Sequence, residues 1–168
     1  NQKIMAKIYR DDYGIPHIMA TTSFDAAKAI AYVHSEDDFY TLQLWFLAIK
    51  FKSGHFDDWD GPYLDFLSFF FDIQSKTLDL LPTISDEYKS LADSYCSGIN
   101  QYAKEHEENV LDPSIFPVNS VDLLQVQHLM EVIGIQIDKP YSDINKKQSR
   151  RLPHKEGSNA IAIGGNKS

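Results

Sequence analysis

The chain has 168 residues, 43% of them hydrophobic and 12% aromatic, the size and composition of one packed domain rather than a disordered tail. Twenty-four acidic against 16 basic residues give a net charge of -8, which excludes a nucleic-acid surface, since phosphate binding needs clustered Lys and Arg. Cys96 is the only cysteine and reads as a small buried apolar residue, so an internal disulfide is excluded. No run reaches the ~20 apolar residues of a membrane span, the longest being broken by Asp65 and Asp72.

In chain order, Ile4 to Ala20 reads as a β-hairpin, with Ile8, Tyr9, Ile15 and Ile18 around the turn cluster Asp11-Asp12-Tyr13-Gly14. Ser23 is placed to cap a helix carrying Ala26, Ala27, Ile30 and Ala31. Ser35 and Asp38 form a capping-box pair for a second helix reaching about Lys52, with Phe39, Leu42, Trp45, Phe46 and Ile49 on one face and Gly54 as its stop. Tyr63 to Phe71 holds five aromatics between Gly61-Pro62 and Pro82 and reads as core or pocket packing. Ser85, with Asp86 and Glu87, opens a five-turn helix through Tyr88, Leu91, Ala92, Tyr95, Ile99, Tyr102 and Ala103. A last helix follows Ser120. Residues 139–157 are a polar, basic stretch of linker composition, and Ile161 and Ile163 alternate as in a short strand.

Most catalytic signatures are missing. The six histidines show no zinc spacing, and the Asp57-Asp58-Trp59-Asp60-Gly61 segment fails as a calcium loop because Gly61 in sixth place puts Phe56 first and Leu67 twelfth. There is no nucleophile elbow and no phosphate-cradling glycine loop. What remains is Gly157-Ser158, where a linker meets a strand. A serine hydroxyl needs a base. Cleavage before Ser158 would create an α-amine on the nucleophile's own residue, with a reference pKa of about 7.7 to 8.0, so the residue would carry its own proton acceptor. In the uncut chain the same hydroxyl could attack the sterically open carbonyl of Gly157. The bland alternative is a Gly-Ser turn.

Gly157-Ser158-Asn159-Ala160-Ile161-Ala162-Ile163-Gly164 resembles the processing site of the penicillin acylase family of N-terminal-nucleophile hydrolases. Four further segments agree in the same order. Arg10 to Ile18 resembles R-D-x-x-G-V-P-H-I, and His34 to Gln43 is similar to H-A-E-D-R-x-x-Q-M/L, with Asp38 where Arg is common. Gly54 to Gly61 looks like G-x-x-A-E-x-F-G, and Tyr95, Gly98, Asn100 and Tyr102 match Y-x-x-G-x-N-x-Y. The aliphatic start after Ser158 is nearest in flavour to acyl-homoserine-lactone and cyclic-lipopeptide acylases.

The resemblance implies an α+β fold: a mainly helical α-subunit with an N-terminal β-hairpin, part of an αββα sandwich completed by a β-subunit. Its segments would be an α-subunit over 1–138, a linker over 139–157 and the start of the β-subunit over 158–168. It implies hydrolysis of an amide between an acyl chain and a polar amine, such as an acyl-homoserine lactone, a lipopeptide or a β-lactam. Ser158 would be nucleophile and α-amine base, Gly157-Ser158 the autocleavage bond, and Leu129, Met130 and Ile133 a lining for the acyl pocket. The oxyanion and arginine groups would come from the β-subunit of the same precursor, so this chain alone is incomplete. No cofactor is implied, a structural calcium being allowed in the complete enzyme. Periplasmic or secreted localisation is implied too. The alternative is a catalytically incomplete fragment serving only as a helical interaction module.

Overall fold

The computed structural model describes residues 6–57 and 60–134. It opens with an antiparallel hairpin, β1 (Ala6–Arg10) and β2 (Pro16–Ala20), in which Ala6 faces Ala20 and Arg10 faces Pro16. The period of two puts the opposed pair Ile8 and Ile18 inward and leaves Tyr9, His17 and Met19 outward. Tyr9 and His17, also opposed, stack with ring centroids 4.7 Å apart. The turn needs a left-handed residue, which Gly14 supplies at φ 78°. Asp11 Oδ1 accepts the Tyr13 and Ile15 amides, each at 2.9 Å, and Arg10 Nη1 donates to the Gly14 carbonyl at 2.9 Å.

The helix α1 (Ser23–Ala48) begins one residue earlier than expected, capped by Thr22, whose hydroxyl accepts the Asp25 amide at 3.1 Å. The two helices read from the sequence are one helical stretch with a break at Asp38 (φ -154°, ψ 66°). Its cap is Asp38, which accepts the Thr41 amide at 3.1 Å. Ser35 is buried and donates its hydroxyl back to the Ala31 carbonyl at 2.8 Å, so it is not available to cap anything.

Gly54 does not end α1. The chain stops at a Schellman turn in which Lys52 N–H reaches the Leu47 carbonyl (2.9 Å) and Phe51 N–H the Ala48 carbonyl (3.1 Å). Phe51 sits there at φ 58°, in the place usually held by glycine. Gly54 instead lies in a short 3-10 turn, Ser53–His55.

The helices α2 (Gly61–Phe70) and α3 (Ile73–Leu80) are parted by Asp72, also left-handed at φ 51°. Only one side of α2 is inside. Leu67 is buried and Tyr63, Leu64 and Phe71 pack on the core, while Phe66, Phe69 and Phe70 stand in solvent, Phe69 with 73% of its surface exposed. Consecutive aromatics cannot share one helical face, so packing claims about half of the run and corrects the expectation for the rest. Phe51 meets Phe69 edge-on at 6.1 Å, and Phe66 stacks on Phe70 at 5.4 Å.

The helix α4 (Asp86–Glu105) is capped by Ser85 as expected, its hydroxyl accepting the Tyr88 amide at 3.2 Å. The last helix, α5 (Ser120–Val132), carries a capping box in which Asn119 Oδ1 accepts the Asp122 amide (3.2 Å) and Asp122 Oδ2 the Asn119 amide (3.1 Å). The core forms where α1 lies along α4 and α5 joins them. Ala31, Phe39, Leu42 and Phe46 meet Cys96, Ile99, Tyr102 and Ala103, with Val126 and Leu129 from α5. Each large side chain so buried is worth roughly 1.5 to 3 kcal/mol. Cys96 is 1% exposed, and burial pushes its thiol up to about 12, an inert core residue.

α1 and α4 come into tight backbone contact at Gly98. A Cβ there would overlap the Lys28 backbone carbonyl and come within 2.9 Å of Ala31 Cβ. Gly98→Ala is therefore expected to cost about 1 to 3 kcal/mol in urea unfolding, as overpacking does; an unchanged midpoint would mean the helices can separate freely. Phe51→Gly removes the left-handed penalty of roughly 1 to 2 kcal/mol but gives up the Phe69 edge contact and the partial burial of a ring that is 41% exposed. The two effects oppose each other, so a change of less than about 1 kcal/mol is expected in urea unfolding, and a loss above about 2 kcal/mol would show that the ring's packing outweighs the backbone cost.

Candidate functional site

Gly157, Ser158 and the proposed segment boundaries at 138 and 157 lie outside the described residues. The described part shows how α5 is held. Leu129 is fully buried, Ile133 four residues on packs against the same core, and Met130 is 48% exposed. The three do not share one surface.

The start of α5 is fastened from two sides. Lys50 Nζ, near the end of α1, lies 3.2 Å from Asp122 Oδ1, a carboxylate that also closes the capping box. Asp93 of α4 accepts the Ser120 amide at 3.0 Å. Asn100 of α4 makes a two-way amide clasp with Val118, donating to its carbonyl and accepting its N–H, both at 2.8 Å. The segment leading into α5 is fixed as if by an added strand.

Among the described residues, the segments that carry the family resemblance hold fasteners of this kind. Arg10 Nη2 bridges Glu36 (3.1 Å) and Asp37 (2.7 Å), tying the hairpin to α1 beside its break, and the two carboxylates raise the Arg10 pKa. His34 Nδ1 lies 2.8 Å from the Tyr95 hydroxyl, joining α1 to α4. Burial pushes the Tyr95 phenol up. Gln43, fully buried in α1, donates to the Asn109 carbonyl (3.0 Å) and accepts the Leu111 amide (2.8 Å), so one side chain satisfies a loop 66 residues away.

Ser53 and Gly54, where the Gly54–Gly61 segment begins, close around a carboxylate that the sequence offered only as a break in an apolar run. Asp65 accepts the Ser53 amide (2.9 Å), the Ser53 hydroxyl (2.6 Å) and the Gly54 amide (3.0 Å). Gly61 lies so close to the Ser53 carbonyl that no Cβ fits. The only available signal was an acid inside an apolar run, which must find donors if it is drawn inward. Farther along, the Ser114 hydroxyl and amide, with Lys52 Nζ at 3.0 Å, hold the Asp112 carboxyl down to about 2.

Among the described residues no group of three or more His, Cys, Asp or Glu could hold a metal ion, and no helix is long and apolar enough to cross a membrane.

A two-stranded antiparallel hairpin leading into a helical body defines an α+β chain. The penicillin amidase family model matches residues 5–168, and the chain belongs to that family, whose members are acylase-type amidohydrolases. Its fold is similar to that of a thermostable penicillin G acylase from Alcaligenes faecalis, with a TM-score of 0.54 and 12% identity over 94% of this chain and 98% of that one. No curated protein matches the chain by sequence.

The hairpin turn can be tested by titration. The His17 hydrogen bond at 3.0 Å, followed by the Ile15 and Tyr13 amides, lowers the Asp11 pKa. A lowered folded-state value means that its stabilisation is fully present above the ordinary Asp value of about 3.9 and is lost as pH falls through the lower, folded one. The Tyr13 and Ile15 amide NMR shifts should therefore titrate together with a midpoint below 3.9. A midpoint above it would show that the carboxylate is not held by these donors.

Proposed function

We propose that the protein is an acylase that hydrolyses the amide between an acyl chain and a polar amine, after cutting its own backbone before Ser158. The reading is supported by the family match, whose span of residues 5–168 takes in Gly157-Ser158, a dipeptide whose chemistry needs no partner residue to supply a base.

The steps follow from that dipeptide. In the uncut precursor the Ser158 hydroxyl adds to the Gly157 carbonyl, the C–N bond breaks, and the acyl group moves from nitrogen to oxygen. Water then hydrolyses the ester, leaving a Gly157 carboxylate and a free Ser158 α-amine. In turnover that amine accepts the hydroxyl proton, directly or through a water, as the oxygen attacks the substrate carbonyl. The proton passes to the departing amine, an acyl-serine ester remains, and water releases the acid. Oxyanion donors come from the β-subunit of the same precursor, the partner this reading requires.

Acyl-homoserine lactones, lipopeptides and β-lactams are the substrate classes proposed, with degradation of antibiotics or quorum signals as the consequence. Leu129, Met130 and Ile133 are the proposed acyl-side residues, Met130 being the one whose side chain is open to a ligand. A periplasmic or secreted site of action accords with the family.

Intact mass of the full-length product should give two polypeptides parted before Ser158. Ser158→Ala should give one uncut chain with at least ~10^3-fold less acyl-amide hydrolysis, the scale on which loss of a nucleophile is felt. Splitting and turnover that persist in Ser158→Ala would sink the mechanism.

A further inference from the structure

We draw no further inference here: the strongest candidate, the surface patch of Phe66, Phe69 and Phe70 on the outer side of α2, is an apolar helix face exposed among the described residues, and nothing in the structure shows what covers it.

Discussion

The backbone contact between α1 and α4 at Gly98 sets the geometry on which the other elements depend. With no side chain there, the Lys28 carbonyl can sit against α4, and the two helices come near enough for Ala31 to reach the Cys96 and Ile99 side of the core. Short-range packing then continues along the pair, with Phe39 edge-on to Tyr102 at 5.0 Å and Tyr32 edge-on to the same ring at 5.6 Å. Both geometries fit the quadrupoles of the rings. Any widening at Gly98 would loosen the aromatic contacts further along, because a dense core has no slack to absorb it.

Two polar ties extend this pair to the rest of the chain. Gln43 reaches from the middle of α1 to the loop at Asn109 and Leu111, and Asn100 reaches from α4 to Val118. Together they fix both ends of the irregular stretch between α4 and α5. Backbone amides drawn inward there would otherwise lose water without a replacement, at about 1 to 3 kcal/mol each. The position of α5, and with it Met130, follows from side chains on the other two long helices.

Much of this was legible in the sequence, and the failures have specific causes. The hairpin, α4 and α5 follow from turn residues, caps and helical periodicity that act within a few residues. The end of α1 was misplaced because a Schellman turn is signalled by glycine, and here Phe51 occupies it against its own backbone preference. Ser35 was misread as a cap since a serine beside acidic residues looks the same whether its hydroxyl faces the next turn or the previous one. The aromatic run was only half core, for the face each ring takes depends on where α2 meets α1, which no local pattern contains. The Asp65 cluster was invisible for the same reason: its parts lie many residues apart in sequence.

Asp38 shows why the resemblance survives such departures. The family commonly has Arg at that position, yet in this chain the residue stands at the break in α1 and its carboxylate accepts the Thr41 amide. An arginine has no acceptor and could not serve as that cap. Glu36 and Asp37, immediately before it, still receive Arg10, so the hairpin is held beside the break whatever caps the following turn. The motif segments in the described residues thus fasten elements together, and a position within one can change its local task while the fastening persists. The chemistry proposed for this chain rests on a different kind of residue, one whose hydroxyl and prospective α-amine cannot be replaced by a neighbour.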